Sequence, residues 1–191
     1  LFTKIPNMTV LAPSSYQEIG VMVHDALDHT DGPVLIRWPK VLPECGPDEV
    51  GAGLRGRKVR AGSDVCILAV GKMLHPALEA AEALAADGVE ATVWDVRCVK
   101  PADREMLEDA AGHPTVVTVE DGYKAGGAGS LLAAGIRECC EERLVPRIEI
   151  LGVPTQYLDH AKADDILARL GLDADGIRSS ALRAVRAPSP L

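Results

Sequence analysis

One guanidinium stands out by its position. Arg37 closes the apolar run Val34-Leu35-Ile36, followed by Trp38-Pro39. A buried strand ending in arginine puts the charge at a carboxyl edge, where open α/β sheets take ligands. A planar, permanently charged fork there suits a phosphate or carboxylate, and it suits an interdomain salt bridge equally well. Residues Gly126-Gly127-Ala128-Gly129-Ser130 follow the apolar run Thr115–Val119 and lead into an apolar helix. Strand, glycines and helix start form the layout of an anion-binding loop, but the spacing is neither GxGxxG nor that of a P-loop with its lysine. Close helix–sheet packing is the competing use of those glycines, and the better one. Glu120-Asp121, at the end of the same run, is placed to cap a helix or to meet a cation, with capping favoured.

The remaining reactive residues do not assemble. His24, His29, His75, His113 and His160 are scattered, and His24 and His29 are not spaced i, i+4 for one helix face. Serine lacks a GxSxG context, and no Cys–His pair is recognisable. The five cysteines, Cys45, Cys66, Cys98, Cys139 and Cys140, contain no C-x-x-C spacing, so buried free thiols in a reducing cytoplasm are expected instead of structural zinc. A formal net charge of −8 with scattered basic residues argues against nucleic acid. No run of 18 apolar residues marks a membrane span.

The elements that must position these groups centre on residues 66–107. Cys66–Val70 is an apolar run stopped by Gly71, too short to span a membrane and suited to a strand buried on both faces. A helix follows with Pro76 in its first turn and Asp87-Gly88 at its end. A second strand over 91–96 and, after Lys100-Pro101, a second helix complete a βαβ unit of a parallel sheet. Further strands are expected at 115–119 and 147–151, and terminal helices at 163–170 and 175–184. Upstream, 8–12, a helix from Ser14 or Ser15 to about His29, and 34–36 make another βαβ unit, with Glu18 placed as a capping-box partner. One such unit cannot bury both faces of a sheet, so neighbours are expected before Leu1 or on another chain. The Pro- and Gly-rich 41–63 stretch is expected to be an interdomain linker holding a small ribbon. The domain plan is therefore 1–40, 41–63 and 64–191, with the last folding independently of the first into an α/β domain whose sheet is mainly parallel. The first residue is leucine, and the chain is read as a piece of something longer.

In this order and spacing the motifs resemble a known family. Ile5-Pro6-Asn7-Met8, Ala12-Pro13-Ser14, Asp31-Gly32-Pro33 and Ile36–Lys40 resemble the end of the pyrimidine-binding domain of transketolase-type thiamine diphosphate enzymes. Val96–Pro101, Val117–Asp121, Gly126–Ser130, Gly152-Val153-Pro154 and Leu167–Asp173 resemble the C-terminal domain of the 1-deoxy-D-xylulose-5-phosphate synthases. The resemblance implies a homodimeric cytoplasmic transferase using thiamine diphosphate and Mg²⁺ to join a two-carbon unit from pyruvate to glyceraldehyde 3-phosphate, feeding isoprenoid and thiamine synthesis. It also implies that Arg37 holds the acceptor's phosphate. The family's GDG…N metal motif, its activating glutamate and its DGxTH segment are missing here. The resemblance thus implies that these residues need the enzyme's remaining N-terminal domains and are inactive alone. Trp38, where tyrosine or phenylalanine is common, and Val153–Tyr157 leave room for another aldehyde phosphate. A split transketolase, a 2-oxo acid dehydrogenase β-type subunit and a non-catalytic anion- or partner-binding module are the alternatives.

Overall fold

The computed structural model describes residues 2–41, 43, 45, 50–140 and 144–187. Eight strands and six α-helices follow one another along these residues: β1 (Thr9–Leu11), α1 (Tyr16–His29), β2 (Val34–Ile36), β3 (Arg57–Arg60), β4 (Val65–Val70), α2 (Leu74–Ala86), β5 (Ala91–Asp95), β6 (Cys98–Lys100), α3 (Arg104–Ala111), β7 (Thr115–Tyr123), α4 (Ala128–Cys140), β8 (Arg147–Val153), α5 (Ala163–Arg169) and α6 (Ala174–Arg186).

The larger sheet has the order β3-β5-β4-β7-β8. Its β5-β4-β7-β8 part is parallel, and only the edge strand β3 runs antiparallel. The expected mainly parallel sheet is thus present, with one antiparallel edge strand. Every residue of β4 is buried, because both faces are covered. Val65, Ile67 and Ala69 pack with α2 and α6 through Ala77, Ala81, Leu84, Ile177 and Ala181. Cys66, Leu68 and Val70 pack with α3 and α4 through Met106, Leu107, Leu132 and Ile136. Alternate side chains of an extended strand point to opposite faces, so an unbroken apolar run is what a two-sided core requires. The chain leaves β4 for β5 on one side and later crosses to β7 on the other. The carboxyl ends of β4 and β7 therefore flank the point where the winding reverses, the usual ligand crevice of such sheets.

Residues 2–40 contact the C-terminal half. β1 pairs parallel with β2 and antiparallel with β6, so a strand from the C-terminal half completes a three-stranded sheet with the N-terminal unit. Val10 and Ala12 belong to the same apolar cluster as Leu68, Trp94 and Leu132. β1 and β2 are only three residues each, and β6 extends their sheet. The ribbon expected within 41–63 is also replaced: β3 instead caps the edge of the large sheet against β5.

A buried charge network joins the two halves. Arg97, with φ at 53° and 1% exposed, donates from Nε to Glu18 Oε2 at 2.9 Å. Its Nη1 donates to the carbonyls of Ala52, Gly53 and Arg55. The second Glu18 oxygen accepts from Gly51 N at 2.6 Å. Ser15 caps α1 by accepting from Glu18 N, yet the reciprocal capping-box bond is absent because Arg97 and Gly51 claim the Glu18 carboxylate. Nearby, Ser14 Oγ donates to Asp95 Oδ2 at 2.6 Å. Burial pushes the Asp95 carboxyl up to about 7, outweighing the Ser14 bond and the neighbouring Arg57 and Arg97 guanidiniums.

Candidate functional site

Arg37 lies one residue beyond β2, fixed by a main-chain bond from its N–H to Leu11 O at 2.8 Å. Its half-exposed side chain opens on a cleft of about 180 Å³ at the reversal point of the sheet. The apolar floor comes from Leu11, Leu35, Val70 and Val99, and the opposite wall from Glu120, Asp121, Gly126 and Gly127. Two features picked from the sequence 90 residues apart, the arginine and the glycine loop, therefore share one cleft.

The glycine loop is not open to an external anion. Glu120, on β7, accepts from Ala128 N at 3.0 Å and Gly129 N at 2.8 Å, so the chain's own carboxylate sits at the start of α4. Burial holds the Glu120 carboxyl above its usual range, although those two N–H groups and Arg37 pull the other way. The glycines serve close packing, as favoured from the sequence. A Cβ at Gly129 would come within 2.5 Å of Thr118 Oγ1 and 2.7 Å of Ile150 Cγ2. Capping by Glu120 is likewise as expected, while Asp121 takes the cation-facing role.

The guanidinium of Arg37 donates from Nη2 to Asp121 O at 2.5 Å and stands 4.0 Å from the Asp121 carboxylate. That carboxylate is paired more closely with Lys72 Nζ, at 2.8 Å. Lys72 sits in the 3₁₀ turn Gly71–Met73 directly after β4, where Gly71 at φ +59° makes the reversal. Interdomain contact and ligand-facing exposure are thus both properties of Arg37: one guanidinium nitrogen is tied back and the fork is left half-exposed.

Sequence reasoning missed Lys72, Asp95 and Arg97. The last two carried a signal, since they are charged residues inside the otherwise apolar stretch 93–99. Lys72 carried none, for a lysine after a strand is ordinary surface. The expectation of buried thiols agrees with the structure at Cys66, Cys98 and Cys140, while Cys45 and Cys139 are partly exposed. The histidines stay apart, but His113 lies within one cluster with Cys66 and Asp109. That cluster is already satisfied. Asp109 accepts from Lys58 Nζ at 2.9 Å and Trp94 Nε1 at 2.7 Å, and His113 contacts Asp109 O and Thr92 Oγ1. Lys58, Trp94 and His113 hold the Asp109 carboxyl below its usual range despite partial burial, and burial raises the Cys66 thiol. A thiol, an imidazole and one shared carboxylate do not fit Mg²⁺, which takes hard oxygen ligands in octahedral geometry. On the wall of the Arg37 cleft both carboxylates are already engaged, Glu120 with two N–H groups of α4 and Asp121 with Lys72. No helix among the described residues is long and apolar enough to cross a membrane.

The doubly covered mixed sheet with a cleft at its reversal point is of the transketolase C-terminal kind. Residues 54–177 match the model of the transketolase C-terminal domain, and the chain belongs to that family. Among its relatives, the 1-deoxy-D-xylulose-5-phosphate synthase of Anaeromyxobacter sp. (strain Fw109-5) is 42% identical over 194 residues, covering 95% of this chain and 29% of the relative. The synthase of Crocosphaera subtropica is 39% identical over 180 residues, covering 91% and 28%. The chain thus spans less than a third of these relatives' length. Among solved structures, a split-gene transketolase described as an inactive β4 tetramer is 33% identical with a TM-score of 0.85, covering 96% of this chain and 60% of that one. A mutant transketolase from Pichia stipitis shares the fold, at 18% identity and a TM-score of 0.70.

Proposed function

We propose that this chain is the C-terminal part of a thiamine-diphosphate-dependent transferase that condenses pyruvate with glyceraldehyde 3-phosphate to 1-deoxy-D-xylulose 5-phosphate and CO₂. In that enzyme Arg37 grips the acceptor's phosphate. The observation that carries the role is the placement of Arg37: a half-exposed guanidinium at a strand's carboxyl end, opening on the cleft where the sheet reverses. The synthase relatives supply the reaction, matched at 42% identity along 95% of the chain. Thiamine diphosphate and Mg²⁺ belong to domains that precede these residues, so the 191 residues alone are inactive. Residues 1–40 end a pyrimidine-binding domain, 41–63 link it, and 64–191 form the C-terminal domain. The working enzyme is a homodimer in the cytoplasm.

The likeness to the split-gene transketolase favours one second reading, a two-carbon transferase drawing on a ketose phosphate. The intact enzyme separates the two. With pyruvate and glyceraldehyde 3-phosphate it should release CO₂ and form deoxyxylulose phosphate. Turnover with a ketose phosphate donor and none with pyruvate would select the transketolase reading.

A further inference from the structure

Three charges form a row beside the cleft: Arg37 and Asp121 line it, and Lys72 meets Asp121. They come from three separate segments, the end of β2, the end of β7 and the turn after β4. The spacing is unequal. Asp121 Oδ2 lies 2.8 Å from Lys72 Nζ and 4.0 Å from Arg37 Nη2. Arg37 donates to the Asp121 main-chain oxygen instead, a bond that positions the guanidinium without neutralising it. The side chains of Asp121 and Lys72 are mostly covered, at 24% and 18% exposed, against 51% for Arg37. Glu120, the other carboxylate on this wall, is committed to two N–H groups of α4.

The chemistry of such a row is competitive. An aspartate beside a phosphate-binding arginine is itself an anion and occupies the fork unless something else holds it. We propose that Lys72 is a specificity-determining residue for phosphorylated substrates: by pairing with Asp121 it keeps that carboxylate off Arg37 and leaves the guanidinium fork open to a phosphate dianion. This rests on the assignment of Arg37 as the phosphate-binding residue. Lys72 touches no substrate in this account. It acts through Asp121, which without its ammonium partner turns about 1 Å toward Arg37 and forms the closer pair, as opposite charges across a short gap do.

The test uses the intact enzyme and compares a phosphorylated aldehyde acceptor with its unphosphorylated counterpart. Lys72→Met should raise KM for the phosphorylated acceptor by about three- to tenfold, the effect of one charge a few ångströms away and screened by water. It should leave kcat and the unphosphorylated acceptor unchanged. Asp121→Asn added to Lys72→Met should restore KM, because the competing anion is gone; a loss of packing would not be repaired that way. Equal KM values for Lys72→Met and wild type, or a loss that Asp121→Asn does not repair, would overturn the proposal. Arg37→Ala, measured alongside, keeps the two claims apart. If it lowers use of the phosphorylated acceptor alone while Lys72→Met does nothing, the Arg37 assignment stands and the role of Lys72 falls. If Arg37→Ala affects both acceptors equally, both fall.

Discussion

Replacing Arg97 with alanine is the perturbation whose size follows most directly from the structure. The side chain is buried, and its loss strands several groups at once. The Glu18 carboxylate, fully buried, would keep only the Gly51 N–H, and the carbonyls of Ala52, Gly53 and Arg55 would lose their donor. Removing one partner of a buried ion pair costs about 3–5 kcal/mol, mostly from the uncompensated charge left behind. For a chain of this length each kcal/mol lowers Tm by about 2–4 °C, so Arg97→Ala should unfold roughly 6–20 °C earlier. Thermal and urea unfolding followed by circular dichroism measure this. Glu18→Gln in the Arg97→Ala background should recover part of the loss, since the stranded charge is then gone. Hydrogen exchange gives the second readout: amides of β1 and α1 should lose protection before those of β4 and β7, because Arg97 holds the N-terminal unit to the C-terminal half. A loss below about 1 kcal/mol with an unchanged denaturant slope would show that the network is not the joint described here.

Three further outcomes follow. Asp95 binds its proton up to about 7 when folded, above its ordinary value of 3.8, so the folded state holds more protons between those limits. Its contribution to stability should therefore fall as pH rises from about 4 to about 7 and stay level above; Asp95→Asn should flatten that part of the stability–pH curve, and an unchanged slope would count against a protonated Asp95. Gly129→Ala should destabilise the chain by about 1–3 kcal/mol in urea unfolding, because the new methyl meets Thr118 Oγ1 and Ile150 in a packed wall; a neutral effect would mean the helix start tolerates displacement. Calorimetric titration of the isolated chain with thiamine diphosphate and Mg²⁺ should give no tight binding, and a dissociation constant in the low micromolar range would place cofactor-binding groups within these residues.

Much of the fold was legible because burial dictates sequence in a parallel sheet. Cys66–Val70 is a continuous apolar run and Thr115–Val119 a β-branched one, and both strands lie at the centre with helices on each side. What sequence could not show was pairing at long range. β6 is three residues, Cys98–Lys100, embedded beside Arg97; nothing in its own pattern says that it reaches back to β1 and ties residues 1–40 into the C-terminal half. β3, Arg57–Arg60, reads as polar linker because an edge strand buries one face only. At the site, Arg37 was visible as a charge ending an apolar strand, and the glycine loop as a phosphate-loop outline. That Glu120 already fills that loop depends on a carboxylate eight and nine residues from the N–H groups it meets, a distance set by the turn after β7. Lys72 and Asp121 meet only because β4 and β7 are neighbours in register, Val70 opposite Glu120.

The central claim is that Arg37 recognises phosphate, and the ratio of kcat/KM for a phosphorylated acceptor to that for its unphosphorylated counterpart tests it most directly in the intact enzyme. Each charge-assisted hydrogen bond to a phosphate contributes ~1.5–3 kcal/mol, so Arg37→Ala should lower the phosphorylated arm by roughly one to two orders of magnitude and leave the other nearly unchanged. Arg37→Lys should recover part of the loss, since it keeps the charge without the fork. An equal loss for both acceptors, with a lowered Tm, would contradict the account and leave Arg37 as a structural tie to Asp121.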